Sequence, residues 1–233
     1  MQSGGGPMVG LRQLMVLIAA SVLPALLITV AVLDRMLDDA RRNAESNLMQ
    51  AAQALALSVD QRIGEETAAL SMLANAPALD SDELKGFRAL AERAVEQRES
   101  WLNVILADRD HQLVNTRTPP ATPLPSLLSS GDIAGMYDTG RNMVSGVERA
   151  PDRYLHPFIR IGTPVVREGT VRYALLAKLP AWTFHTLLRV KVAAPGQAAL
   201  LDRHGRVIAL SASLEASDPL VGAPARSLFL GGA

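Results

Sequence analysis

Arg98 and Trp101 stand three positions apart where a polar stretch gives way to an apolar one. An arginine there can grip a carboxylate through two parallel hydrogen bonds, and a tryptophan can wall a pocket or stack on a cation. The plainer reading makes Arg98 a solvated charge at a helix end, favoured by the helix dipole, and Trp101 a core residue. Tyr137, Tyr154 and Arg172 are the other candidates for lining a binding pocket. Arg172 and Lys178 share one strand face, being six apart in a period of two, although charges so placed more often mark the wet side of a sheet. Other chemistry is hard to find. His111, His156, His185 and His204 lack metal-ligand spacing, and the absence of cysteine removes disulfides, thiolate catalysis and Cys-based metal sites. There is no phosphate-cradling glycine loop and no recognisable Ser/His/Asp or paired-carboxylate arrangement. No catalytic residue, metal or cofactor is expected.

Charge narrows the partners. The 233 residues carry 23 basic and 23 acidic side chains, without a basic stripe that could track phosphates. Nucleic acid is therefore not an expected partner.

A membrane is. From Leu14 to Leu33 the chain is uncharged and broken only by Ser21, Pro24 and Thr29. That is about the 20 residues a helix needs to cross the hydrocarbon layer. A cleaved signal peptide would have a shorter apolar core, about 7–15 residues, and Thr29-Val30-Ala31 is a weak cleavage site. The expectation is an uncleaved anchor over 14–33 with a cytoplasmic tail over 1–13. Arg35, Arg41 and Arg42 after the span outnumber Arg12 before it, which by charge alone would put the C-terminal side inside.

Beyond the span, apolar residues recur at steps of three and four: Leu33, Leu37, Ala40, Ala44, Leu48, Ala51, Leu55, Val59, Ile63, then Leu70 and Leu73. Only the turn near Glu66 breaks the pattern. The spacing predicts a stalk helix over 34–77, ended by Pro77. Its stripe needs a partner, either its own domain or a second copy of the chain. A second helix is expected from Ser81 to about Glu99, with Ser81-Asp82-Glu83 supplying acceptors and negative charge at its start.

From Trp101 the period changes to that of strands. Trp101–Ala107 and Gln112–Asn115 flank a turn at Asp108–His111. Prolines 119, 120, 123 and 125 mark an extended loop. A short helix is expected around Leu127–Met136 and strands at Met143–Val147 and Tyr154–Ile161. A hairpin then joins Pro164–Arg167 to Thr170–Leu179 through Glu168-Gly169, and Pro180 opens a helix to about Val190. The turn Asp108-Arg109 and its flanking strands are echoed at Asp202-Arg203. The fold class is α+β, a long helix followed by an antiparallel sheet, with a second module begun at 191–233.

These residues resemble the double Cache, PAS-like sensor domains of bacterial transmembrane receptors, most closely sensor histidine kinases. The resemblance lies in four places. They are the anchor followed by a stalk; Trp101-Leu-Asn-Val-Ile-Leu-Ala-Asp108 leading to Leu113–Thr116; the Pro119…Pro125 loop; and Pro164–Gly169 before Val171–Leu179. Ala199–Ala209, with Val221-Gly222, looks like the start of a membrane-proximal module.

The resemblance implies a membrane-distal sensor module over 78–190, outside the inner membrane, that binds a small molecule. This orientation is preferred here over the charge count. It also implies a homodimer through the stalk and a kinase output, whose domains and second span are not in these residues. Amino-acid-binding members carry an Arg and a Trp where the stalk-side helix meets the first strand, the junction held here by Arg98 and Trp101, with a Tyr and an Asp further on. No Tyr/Asp pair downstream matches. Two other readings stay open: a chemoreceptor or cyclic-dinucleotide enzyme with the same sensor, and an anchored binding protein without catalytic output.

Overall fold

The structure, a computed structural model, describes residues 10–80, 84–124, 131–149, 156–191, 197–212 and 219–228, without the side chains of 11–25, 190 and 191. Tyr154 and the helix start at Ser81–Glu83 fall outside that description, as do the side chains of residues 14–25 of the Leu14–Leu33 run. No described helix is long and apolar enough to cross a membrane.

The chain forms two compact units, Met1–Gln53 and Ala54–Ala233. Helix α1 (Leu11–Ala74) runs through both. Its apolar stripe divides at the same place. Leu33, Leu37 and Leu48 are exposed, whereas Leu55, Val59 and Leu70 are buried in the second unit. Within that unit the stripe is therefore covered by the chain's own domain. Pro77 ends the helix as expected and opens a 3-10 turn at Pro77–Leu79. The freed carbonyls of Ala74 and Ala76 accept hydrogen bonds from Arg167 Nη2, and Arg167 Nε pairs with Asp80.

Helix α2 (Leu84–Glu96) buries Phe87 and Ala91, four apart, and keeps an Arg88–Glu92 pair on its wetter side. Strands β1 (Asn103–Ala107) and β2 (Gln112–Asn115) follow, then α3 (Gly131–Thr139), β3 (Met143–Val144), β4 (Phe158–Arg167), β5 (Thr170–Pro180) and α4 (Trp182–Lys191). The five strands make one antiparallel sheet in the order β2-β1-β5-β4-β3.

Phe158–Arg167, which takes in the later part of the segment expected as Tyr154–Ile161 and all of Pro164–Arg167, is the single strand β4. Pro164 does not break it, because β3 pairs only as far along as Gly162. Among the described residues no strand accompanies Pro164 on that side, and a missing N–H breaks no ladder there. Pro180 likewise closes β5, and α4 begins two residues later. The β4–β5 turn places Glu168 and Gly169 at φ 51° and 77°, the left-handed pair that a two-residue hairpin requires.

One sheet face packs on α1, α2 and α4. Its core includes Leu70, Leu79, Phe87, Val104, Leu106, Ile161, Leu175 and Phe184, each almost wholly removed from water. Full burial of such a side chain contributes about 1.5–3 kcal/mol. The other face meets α3, where Ile105, Ala174 and Leu176 pack beneath Ile133, Met136 and Tyr137.

A hairpin of β6 (Ala199–Leu201) and β7 (Val207–Leu210) opens the region beyond α4, and a 3-10 turn follows at Ala225–Leu228. The sequence echo is real at atomic detail. Asp108 Oδ1 accepts the N–H of Asp110 and His111, and Asp202 Oδ1 accepts those of His204 and Arg206.

Gly162 lies in the centre of the sheet, where a Cβ would stand 2.6 Å from Met143 Cγ and 2.8 Å from Leu176 Cδ2. Gly162→Ala is expected to lower stability by about 1–3 kcal/mol through overpacking, read as a shifted denaturant midpoint.

Candidate functional site

Each of the three central strands sets a polar residue among apolar neighbours: Asn103 in β1, Lys178 in β5 and Arg160 in β4. The register sets them side by side, Asn103 opposite Lys178 and Lys178 opposite Arg160. Side chains alternate along a strand, so this row shares its face with Ile105, Ala174 and Leu176. The α3 face is thus apolar at one end and polar at the other.

The polar end is built, not merely wet. Arg160 is buried, and its Nε donates to Glu148 Oε1 at 2.8 Å. Its backbone N–H donates to Ser145 Oγ at 2.9 Å. Lys178 Nζ lies 4.7 Å from the centre of the Phe158 ring. Desolvation, reinforced by the positive charge of Arg160, holds its amine below the ordinary lysine value. Asn103 Nδ2 donates to Asn115 Oδ1 at 3.1 Å, and Asn115 Nδ2 donates to Gln112 Oε1 at 2.9 Å. Asn103 Oδ1 is buried and accepts no hydrogen bond among the described residues.

Two cations therefore lie beside Glu148 at a poorly hydrated face. They can attract an anionic group such as a carboxylate, and the Asn103 oxygen can accept a donor. The arrangement can bind and orient a small polar molecule. Among the described residues it offers no nucleophile with an adjacent base.

The residues expected from sequence separate into three places. Arg98 and Trp101 come together, on the opposite face of the sheet, around Glu66. Glu66 is 1% exposed, and its Oε2 accepts from Trp101 Nε1 at 2.8 Å and from Arg98 Nη1 at 3.2 Å. Its Oε1 accepts from Ser100 Oγ and pairs with Arg62, both at 2.8 Å. The Arg98 guanidinium also lies 5.1 Å from the Trp101 ring centre.

Tyr137 stands on α3, its hydroxyl donating to the Ala107 carbonyl at 2.9 Å with Arg109 over its ring. Burial pushes its phenol pKa up to about 12. Arg172 is exposed near the start of β5, with its guanidinium 5.2 Å from the Tyr173 ring centre. In the β1–β2 turn, donor atoms of Asp108, Asp110 and His111 lie within 4.8 Å of one another. Asp108 is spent on its own turn there. Although burial opposes it, hydrogen bonds from the His111 and Asp110 amides hold its carboxyl below the usual range.

Glu66, Asn103, Arg160 and Glu148 were missed by sequence reasoning. The signal for the row was present: a lone polar residue within Trp101–Ala107, another within Phe158–Ile161 and a third in Ala174–Leu179. What was lacking was the register that aligns them.

No protein-family model matches the sequence, and no curated protein matches it either. Solved structures do. The ligand-binding domain of the Pseudomonas aeruginosa amino-acid chemoreceptor PctC, in complex with GABA, superposes with a TM-score of 0.62 at 14% identity, over 82% of this chain and 83% of that one. This is the fold of a chemoreceptor ligand-binding domain. The corresponding domain of the Pseudomonas fluorescens chemoreceptor CtaA, bound to L-isoleucine, matches with a TM-score of 0.58 at 12% identity, covering 76% of this chain and 71% of that one. A Campylobacter jejuni chemoreceptor domain bound to L-valine gives 0.53 at 15% identity, covering 78% and 77%. The expected α+β class, a long helix followed by an antiparallel sheet, is the class observed.

Two outcomes follow from this geometry. Glu66→Ala is expected to cost about 2–4 kcal/mol in denaturant unfolding, because it strands the buried Trp101 and Ser100 donors, and Glu66→Gln is expected to cost less. Lys178→Met should raise Tm at neutral pH. The lysine's folded pKa lies below its unfolded value, so its penalty is full below the folded pKa and fades as pH rises toward the unfolded value. The gain from methionine should shrink over that alkaline window.

Proposed function

We propose that this chain is the ligand-sensing input region of a bacterial transmembrane receptor. The observation that carries the reading is the aligned row Asn103–Lys178–Arg160 on the α3 face of a sheet with a chemoreceptor-domain fold. The proposed ligand is a small molecule bearing a carboxylate, held by Arg160 and Lys178, with its donors meeting Asn103. The bound GABA, L-isoleucine and L-valine of the similar domains all carry one, which supports this class.

In this reading the sensor module spans 78–190, and 191–233 begins a membrane-proximal module. Leu14–Leu33 anchors the chain, and the sheet unit faces away from the cytoplasm. The exposed Leu33, Leu37 and Leu48 favour a second copy as the cover for that part of the α1 stripe. Tyr137 and Arg172 act at the apolar end of the ligand face, and Tyr154 is a further candidate for contact with the ligand. Arg98 and Trp101 act through Glu66, by fixing α1 to the start of β1. No catalysis is assigned to these residues.

Two outputs fit. A histidine kinase is the reading drawn from sequence resemblance, and a chemoreceptor is favoured by the parentage of the similar structures. A reading frame past Ala233 that encodes a phospho-accepting histidine and an ATP-binding domain would select the first.

The binding reading is tested by thermal shift of the full chain in detergent micelles against GABA and the standard amino acids. At least one is expected to raise Tm, as a molecule that binds only the folded state must. Arg160→Ala should abolish that rise. A panel in which nothing shifts Tm, or a shift that persists in Arg160→Ala, would overturn the assignment.

A further inference from the structure

The segment from Ser145 to Arg149 grips two different parts of the second unit at once. On one side it holds Arg160. The Ser145 N–H donates to the Arg160 carbonyl at 2.8 Å, the Ser145 hydroxyl accepts the Arg160 N–H, and Glu148 takes the guanidinium at 2.8 Å. On the other side it holds the β6–β7 hairpin. The Val147 N–H donates to Asp202 Oδ2 at 3.0 Å, and the Arg149 guanidinium donates to the carbonyl of Val221, past the hairpin.

This second contact is specific to the residues present. A Cβ at position 146 would stand 2.7 Å from Asp202 Oδ2, so the approach needs Gly146. Asp202 is committed at both oxygens. Burial works against its charge, but the amides of Arg206, Val147 and His204 together hold its carboxyl below the usual range. Arg203 adds a pair to Asp132 at the start of α3, the helix that covers the apolar end of the ligand face.

Glu148 belongs to both sides. It is paired with Arg160, yet it also lines a cleft of about 500 Å³ with Asp202, Arg203 and Arg206. No carboxylate pairs with Arg206 among the described residues. An anion arriving at Arg160 would repel Glu148 at close range in a poorly hydrated setting, where such repulsion is large. The cleft offers the displaced carboxylate a second cation.

We propose that Glu148 is a switch carboxylate, and that segment 145–149 carries the state of Arg160 to the β6–β7 hairpin. Displacement of Glu148 from Arg160 toward Arg206 loosens the hold of Val147 on Asp202, so the hairpin reports occupancy of the sheet face. The two-sided grip of one short segment is the physical link, and both ends bias it. This rests on the Arg160–Lys178 row being the ligand site.

The test is amide hydrogen exchange on the full chain in detergent micelles. Glu148→Gln weakens the grip on Arg160 without touching Asp202. It is expected to make the Val147, His204 and Arg206 amides exchange about tenfold faster. The Asp110 and His111 amides, capped in the same manner by Asp108, should keep wild-type rates and report intact folding. Gly146→Ala approaches from the other side and should speed the Ser145 and Arg160 amides as well as those bonded to Asp202. Unchanged rates at Val147, His204 and Arg206 in Glu148→Gln would overturn the proposal. So would a Gly146→Ala effect confined to the Asp202 partners, which decides the matter if Glu148→Gln does not fold. The two readings fail separately: a silent ligand screen leaves these exchange rates untouched, and absent coupling leaves any thermal shift intact.

Discussion

A buried carboxylate ties the long helix to the sheet. Glu66 is shut off from water on α1, and it survives there because Arg62, Arg98, Ser100 and Trp101 all donate to it. An isolated charge in that position would cost several kcal/mol, so the four donors are a condition of the fold and not an ornament. Three of them come from the short link between α2 and β1. That link also sets where β1 begins, and β1 fixes the register of β5 and then of β4. The row Asn103–Lys178–Arg160 is therefore positioned, in the end, by a helix residue on the opposite face of the sheet.

The two faces of the sheet answer different demands. The face on α1, α2 and α4 is packed with large apolar side chains and gives the unit its stability. The α3 face gives up part of that packing for polar groups. Arg160, Asn103 and Asn115 are buried with partners from neighbouring segments, and desolvation holds the Lys178 amine below the ordinary lysine value. Sites of this kind are found where local rules of burial are broken and compensated. Gly162 and Gly146 belong to the same logic, since each is small where another side chain must come close.

Much of this was legible in the sequence because periodicity reports local structure directly. The α1 stop at Pro77, the hairpin at Glu168-Gly169, and the paired Asp-Arg turns were all read from residue order. The site was less legible, because register between distant strands is a property of the folded sheet. Arg98 and Trp101 were noticed for their chemistry, and they do meet, but around Glu66, where the apolar stripe lapses. That lapse was the clue: a charge within a buried stripe requires donors, and the nearest suitable ones follow α2. The break expected between Ile161 and Pro164 is absent. Proline is disfavoured in a central strand, but β4 is central only as far as β3 accompanies it.

Pro164 also has a bearing on how the protein behaves in company. The backbone groups of Arg160 point toward β3, and alternation places those of Pro164 on the same side, past the point where β3 ends. A bare strand margin is a template on which foreign chains can add and grow into aggregates. Pro164 has no amide hydrogen to offer there, which makes β4 a poorer seed for such growth. The same substitution of ring for hydrogen lets a ten-residue strand remain partly uncovered without turning adhesive.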